Sequence, residues 1–340
     1  MRIAYDNMIF NLQKCGGISR YFNEVIQRIK KYNDVDMCIF KGLKGRLARL
    51  NDILIGCRLN ANNCQIYHPT YYSSLIKKRK GIKTVITVCD MIHELYLSGQ
   101  NGCERHLLVK KMSIMNADHI ICISNNTKKD LKDIYGIEDE KISVIYLGTP
   151  LENIKVMNNR EAKLKRPYIL YVGKRMSYKN FGVLLKAFYK LSLADDFDLI
   201  CFGGGVFTND ELSEFRKLNL KNSVKYAEGP DELLHSYYKN ASVLVYPSIY
   251  EGFGLPVLEA MSFNCPVIAS NSSSIPEVAG DAALLFHPED VDELCSRIKN
   301  IVNDEKTRDY YIEKGKERVK DFSWDKTAME TLSVYKKLIG

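Results

Sequence analysis

Two carboxylates, Glu251 and Glu259, bracket a turn-forming run that begins Glu251-Gly252-Phe253-Gly254-Leu255-Pro256. The run follows Ser242–Tyr246, a short β-branched stretch that reads as a buried strand. It leads into Val257–Met261, where a proline in the first turn and Glu259 suit the start of a helix. Glycines at such a junction let the backbone approach a ligand, and the unpaired N–H groups of a helix N-terminus attract an anion. Carboxylates on either side of that anion accept hydrogen bonds from hydroxyls. Phosphate between amides, with hydroxyls held by acidic side chains, is chemistry suited to a sugar nucleotide.

A second turn supplies cations. After Tyr168–Val172 comes Gly173-Lys174-Arg175-Met176-Ser177-Tyr178-Lys179, with Arg175 and Lys179 four residues apart. Fixed cations in a water-poor site neutralise charge developing on a departing diphosphate. Arginine adds a bidentate fork and lysine a compact point charge. No Asp-x-Asp pair occupies a comparable turn, so these side chains, and no divalent metal or other cofactor, are expected to meet the anion. Glycine turns also follow predicted strands at Gly16-Gly17 and Gly203-Gly204-Gly205. The latter lacks the third glycine and the acidic ribose ligand of a dinucleotide fingerprint. Asp90 and His93 follow the strand Thr84–Val88, while His68, Tyr71 and Tyr72 follow Gln65–Tyr67 and offer polar and aromatic groups to a carbohydrate acceptor. Ser272-Ser273-Ser274 opens a further helix and reads as mainly structural.

The elements that must position these groups alternate short apolar strands with helical segments, the pattern of an α/β fold with parallel sheets. In the first half, strands are expected at Ile3–Tyr5, Val35–Phe40, Gln65–Tyr67, Thr84–Val88, His119–Ile123 and Ile142–Ile145. In the second they are expected at Tyr168–Val172, Phe197–Phe202, Val224–Ala227, Ser242–Tyr246, Pro266–Ala269 and Ala283–Phe286. Helices fill the intervals, as at Ser19–Lys31 and Asn180–Leu191. A polar stretch without periodicity, residues 151–166, reads as a linker between a domain over 1–150 and a second over 167–322. Residues 323–340 read as a final helix, with Ala328, Leu332, Tyr335 and Leu338 at helical spacing after Trp324. Two such halves define a cleft, and ligands bind beyond the carboxyl ends of the strands.

At 340 residues the chain is long enough for two cores, and no apolar run approaches the roughly 18 residues that span a bilayer. The opening Met1-Arg2-Ile3-Ala4-Tyr5-Asp6 carries an acid where a signal peptide would stay apolar, so it reads as the first strand. Ten cysteines, none spaced Cys-x2-Cys and most within apolar runs, suit a reduced, cytoplasmic protein. The net charge of +8 is uneven: residues 1–160 hold 25 Lys and Arg against 15 Asp and Glu, whereas the rest hold 24 against 26. Nucleic acid is disfavoured because no basic-aromatic recognition motif appears. An anionic membrane surface or lipid-diphosphate acceptor suits the excess better, with Lys41–Leu50 and Lys77–Lys80 as contacts.

The Glu-x7-Glu segment resembles the donor-site signature of retaining, GT-B-type glycosyltransferases of family 4, and the resemblance extends over nearly the whole chain. It implies two Rossmann-like domains facing across a cleft, with the last helix crossing back to the first. It also implies that Glu251 contacts the donor sugar, the Gly252-Phe253-Gly254 amides lie against sugar and diphosphate, and Glu259 holds the ribose. Arg175 and Lys179 match the pair that contacts the diphosphate, with Gly173 opening their turn and Leu255 closing the other. Gly16 and Gly17 match the N-terminal glycine loop, Gly203 a turn near the nucleotide, and Glu228 a segment that meets the base. Many relatives carry His-Asp where this chain has Cys89-Asp90, so Asp90 and His93 take the acceptor-side roles here. The implied reaction moves a hexose, first mannose from GDP-mannose, onto a hydroxyl of a glycan or lipid-linked acceptor in bacterial surface polysaccharide synthesis, a UDP-linked donor being the other choice. The rival readings are a sugar-nucleotide epimerase or hydrolase on the same fold and a non-catalytic nucleotide-sugar binder.

Overall fold

The twelve apolar runs become twelve strands, each within one or two residues of the expected ends, in two six-stranded sheets. The computed structural model describes the chain apart from residues 14, 15, 42–50, 74, 75, 77, 78, 101, 150–163 and 165, and gives only the backbone of 51–53. Cys15, nearly all of the basic stretch 41–50, Lys77, Lys78 and most of the expected linker therefore lie outside the described residues. The chain divides into two compact units, Met1–Gly148 with Trp324–Gly340, and Thr149–Ser323.

The first unit contains β1 (Arg2–Asp6), α1 (Met8–Leu12), α2 (Gly17–Ile29), β2 (Asp36–Phe40), α3 (Asn51–Ala61), β3 (Ile66–His68), β4 (Lys83–Val88), α4 (Ile92–Tyr96), α5 (Cys103–Asn116), β5 (His119–Cys122), α6 (Asn125–Tyr135) and β6 (Ile142–Val144). The second contains β7 (Tyr168–Val172), α7 (Phe181–Lys190), β8 (Asp198–Phe202), α8 (Asn209–Lys217), β9 (Val224–Ala227), α9 (Asp231–Asn240), β10 (Val243–Tyr246), α10 (Leu255–Ser262), β11 (Val267–Ser270), α11 (Ile275–Ala279), β12 (Leu284–Phe286), α12 (Val291–Asn303) and α13 (Glu305–Arg318). The last helix, α14 (Trp324–Ile339), belongs to the first unit. Sheet order is β2-β1-β3-β4-β5-β6 in one and β12-β11-β10-β7-β8-β9 in the other, every pairing parallel. Parallel strands joined by helices bury both sheet faces, which is why the strands read as continuous apolar runs. They also bring all the turns after strands to one edge of each sheet.

The stripe Trp324, Ala328, Leu332 and Tyr335 is buried as α14 packs on α2, whose own buried side is Tyr21, Phe22, Val25, Ile26 and Ile29. Beneath it runs a polar chain that corrects one expectation. His68 is no acceptor ligand on the surface; it is fully buried at the end of β3. Its Nδ1 lies 2.5 Å from the Tyr335 hydroxyl and its Nε2 3.0 Å from Thr87 Oγ1, and Tyr335 meets the Tyr5 hydroxyl at 2.7 Å. Polar groups without water must find one another, so the position after an apolar strand was filled by a group the core needs.

Burial lowers the His68 pKa to about 3. Between that value and the ordinary imidazole range near 6.5 the unfolded chain binds a proton that the folded chain refuses, so His68 favours the fold above pH 6.5 and loses ground as pH falls. At pH 5 that loss is about 2 kcal/mol. The fall in melting temperature from pH 7 to pH 5 should shrink in His68→Gln, and an unchanged fall would remove His68 as its source.

Candidate active site

In the second unit, β11, β10, β7 and β8 lie side by side, so the turns after them are neighbours. The turn after β7 ends in a single 3-10 turn, Ser177–Lys179, before Asn180 at φ 54° opens α7. It delivers the Lys179 ammonium to Glu251 in the turn after β10, with Nζ 2.7 Å from Oε1 and 2.9 Å from Oε2. The two turns are also joined through the main chain, Ile249 N–H donating to Tyr178 C=O at 2.8 Å. Both side chains are largely enclosed, Lys179 at 17% and Glu251 at 9% exposure. The same ammonium lies 5.4 Å from the Tyr178 ring centre and 5.9 Å from that of Tyr246. Burial pushes the Tyr246 hydroxyl well above its ordinary range, and the Glu251 charge adds to this, so it stays a neutral donor.

Four serines hold the backbone that carries Glu251. Ser270 donates to Ser248 C=O, Ser272 to Ile249 C=O at 2.5 Å, and Ser274 to the carbonyls of Glu251 at 2.9 Å and Phe253 at 3.0 Å. Ser273, at φ 50°, accepts the Glu251 amide at 2.8 Å. The serine run is structural as expected, but its target is the carboxylate turn, which the sequence did not reveal. The Glu251 amide is thereby spent within the protein. Gly252, Phe253 and Gly254 are buried, with Phe253 edge-on to the Phe322 ring at 5.9 Å, and Leu255 begins α10. Glu259 is buried on α10 and accepts from the Tyr238 hydroxyl at 3.0 Å. Glu228 is exposed and accepts from Tyr226.

Arg175 faces the turn after β8. Its side chain is 4% exposed, and its guanidinium pairs with Glu211 (Nε to Oε1, 2.6 Å) and donates to the carbonyls of Gly203, Gly205 and Val206. Phe207 lies beneath it, ring centre 4.8 Å from Cζ. Glu211 also closes a capping box with Thr208 at the start of α8. Thr208-x-x-Glu211 is a capping-box pattern; the pairing of Glu211 with Arg175, 36 residues earlier, has no local signature. Gly173, at φ 124°, sits where the β7 turn touches the β8 turn, its N–H donating to Phe202 C=O.

In the first unit, Asp90, His93, Tyr71 and Tyr72 gather into one cluster. The His93 and His106 rings meet at a tilt, centres 4.1 Å apart, and the His106 ring centre lies 6.0 Å from that of Tyr71 and 5.9 Å from that of Tyr72. Asp90 Oδ1 accepts the Ile92 amide, and its carbonyl accepts the buried Lys110 ammonium at 2.6 Å. Lys110 also pairs with Glu94 at 2.9 Å, where Tyr135 donates as well. Burial lowers the His106 pKa, and the neighbouring His93 adds to that. Burial raises the Cys89 thiol, with Asp90 reinforcing it, so the sulfur stays protonated. Cys89, Thr70, Tyr71 and Tyr72 line a small pocket with Ile18, one residue into α2 from the Gly16-Gly17 junction. Sequence reasoning missed His106 and Lys110, which sit inside a helix with no local signature.

Two family models match the chain, Glycosyltransferase Family 4 over residues 16–153 and Glycosyl transferases group 1 over residues 153–318. The chain belongs to glycosyltransferase family 4. Its relatives include O-antigen chain mannosyltransferase B of Escherichia coli, 32% identical over 238 residues that cover 66% of this chain and 62% of that one. They also include a Campylobacter jejuni enzyme named N-acetylgalactosamine-N,N'-diacetylbacillosaminyl-diphospho-undecaprenol 4-alpha-N-acetylgalactosaminyltransferase, 27% identical over 274 residues, 79% of this chain and 73% of that one. Among solved structures, sucrose-phosphate synthase from Thermosynechococcus elongatus shares the fold, with TM-score 0.81, 21% identity and 99% of both chains covered. The fold is that of the GT-B glycosyltransferases.

In this glycosyltransferase the contact between the β7 and β8 turns is backbone against backbone. A Cβ on Gly204 would lie 2.5 Å from Gly173 O and 2.9 Å from Lys174 Cα, whereas one on Gly205 would meet nothing within 4 Å. Both glycines have positive φ, 75° and 83°. Gly205→Ala should cost about 1–2 kcal/mol from φ alone, and Gly204→Ala about 3 kcal/mol or more. Equal losses in a denaturant titration would show that the turns do not touch.

Proposed function

We propose that the protein transfers a hexose from a nucleotide sugar to a hydroxyl of a glycan or lipid-diphosphate-linked acceptor, with retention at the anomeric carbon. Mannose from GDP-mannose is the first choice of donor, supported by the mannosyltransferase relative, and the Campylobacter relative supports a lipid-linked acceptor in surface polysaccharide synthesis. The observation that carries this reading is the Lys179–Glu251 pair, a cation and an enclosed carboxylate on adjoining turns at the carboxyl edge of a parallel sheet. An ammonium has three N–H groups. Two point at Glu251, leaving one for a phosphate oxygen. Glu251 then faces both the cation and the sugar hydroxyls, while Glu259 and its Tyr238 partner serve the ribose.

In the proposed step the bond from the anomeric carbon to the diphosphate oxygen breaks, and its electron pair stays on that oxygen. Lys179 and nearby main-chain N–H groups offset the charge. The acceptor oxygen attacks from the same face, and its proton passes to the departing phosphate. Protein cations take the part of a divalent metal in this scheme, so EDTA should leave turnover unchanged; dependence on added Mg²⁺ or Mn²⁺ would reassign the charge.

Labelled nucleotide sugars, incubated with and without a membrane lipid extract, test the reading. Acceptor-dependent product is expected. Conversion without acceptor would favour an epimerase or hydrolase, and saturable binding without turnover a non-catalytic binder. Lys179→Ala should lower turnover on the order of 10²-fold, and unchanged turnover would end its role. Replacing Glu251 should weaken the sugar nucleotide while sparing the free nucleotide; equal weakening would deny it the sugar.

We place the protein at the cytoplasmic face of an anionic membrane. Among the described residues no helix is long and apolar enough to cross one. The outer side of α5 sets exposed Leu108, Met112 and Met115 beside exposed Arg105 and Lys111. Apolar side chains flanked by cations suit an anionic interface. Co-sedimentation with vesicles containing phosphatidylglycerol, absent with pure phosphatidylcholine and reduced in Leu108→Glu, is the expected result; equal sedimentation with both would remove the electrostatic part.

A further inference from the structure

The turn Gly203–Val206 has an unusual internal arrangement. Gly203, Gly204 and Gly205 all have positive φ, at 78°, 75° and 83°. Three of its carbonyls, those of Gly203, Gly205 and Val206, accept from the single guanidinium of Arg175, at 3.2, 2.8 and 3.2 Å. Among the described residues, the amides of Gly204, Gly205 and Val206 donate to no protein acceptor. The three residues are exposed. A main chain whose carbonyls are gathered on a buried cation presents its N–H groups on the other side, and successive N–H groups of that kind make an anion-binding concavity. Glu211 offsets the Arg175 charge and fixes the plane of the fork, and Phe207 fills the space beneath it.

Resting on the donor reading above, we propose that Arg175 and Glu211 are positioning residues. They hold the Gly203–Val206 amides as the wall that meets the donor's phosphates, and Lys179 is the cation that touches the diphosphate. This departs from the role that family resemblance implies for Arg175. A guanidinium with its hydrogens on three carbonyls and a carboxylate has little left to offer a ligand.

Titration calorimetry of the full chain with GDP and UDP, at low and high ionic strength, separates the two roles. A direct cation contributes charge that salt screens; a girder contributes shape. Lys179→Ala should weaken diphosphate binding about tenfold and flatten its salt dependence. Arg175→Lys keeps the charge but cannot hold three carbonyls, so it and Arg175→Ala should weaken binding to a similar degree, about tenfold, with the salt dependence as steep as in the wild type. Arg175→Lys at wild-type affinity, with Arg175→Ala flattening the salt dependence, would overturn the proposal. Should Arg175→Ala fail to fold, Glu211→Gln decides: it keeps the cap and removes the charge. Weaker binding with an unchanged salt dependence is expected, and tighter binding would show Arg175 freed to act as a phosphate ligand. Wild-type protein that binds neither GDP nor UDP sinks the donor reading itself, a result unlike any of these.

Discussion

The arrangement of the second unit depends on one ion pair, Lys179 to Glu251, made across neighbouring turns of a parallel sheet. Both side chains are too enclosed to stand alone without cost. Their pairing, between residues 72 apart in sequence, fixes the spacing of two turns. The pair is neutral, so it cannot by itself balance a diphosphate. What it provides is a cation with one N–H to spare, held rigidly beside a carboxylate with hydroxyl-accepting capacity. In the proposed donor site further positive potential comes from the main chain, since the sheet edge places the exposed amides of the Gly203–Val206 turn after the neighbouring strand.

Rigidity at the Glu251 turn comes from hydroxyls rather than charges. Ser270 at the end of β11 and the serines after it satisfy carbonyls at Ser248, Ile249, Glu251 and Phe253. A buried carbonyl left without a partner costs about 1–3 kcal/mol, so each serine does more by preventing that loss than by its own net bond. The positive φ of Ser273 is accepted because its hydroxyl receives the Glu251 amide in return. Arg175 does the equivalent work on the other flank with carbonyls of the Gly203–Val206 turn. The carboxyl edge of this sheet is thus braced on both sides by side chains that donate to backbone.

The fold was legible because a parallel strand covered on both faces is apolar at nearly every position, and runs such as Tyr168–Val172 and Ala283–Phe286 read as strands for that reason. Element ends followed from glycines and prolines. The site was legible to the level of which turns carry it. Which side chain meets which was not, because those partners are set by sheet order: Arg175 and Lys179 look alike in sequence, but β8 lies on one side of β7 and β10 on the other. Arg175 turns toward the β8 side and Glu211, Lys179 toward the β10 side and Glu251. His68 failed for a related reason. A histidine after a strand reads as a surface ligand until α14, some 260 residues later in the chain, brings Tyr335 over it.

The family resemblance puts Cys89 where many relatives carry histidine, and its surroundings in the first unit bear on proton movement in the proposed step. A thiol raised by burial and by Asp90 remains protonated at neutral pH and takes no proton from an acceptor hydroxyl. Asp90 has one oxygen committed to the Ile92 amide, and its main chain is tied to Lys110, which Glu94 neutralises. The cluster around it is aromatic and imidazole in character, with His93 against His106 and two tyrosines beyond; in the proposed reading these groups serve the acceptor sugar. With cysteine and aspartate so committed, the basic atom best placed to receive the acceptor's proton in the proposed step is the departing phosphate oxygen itself. Its charge rises as the bond to the anomeric carbon lengthens, and the acceptor hydroxyl must approach on that same face.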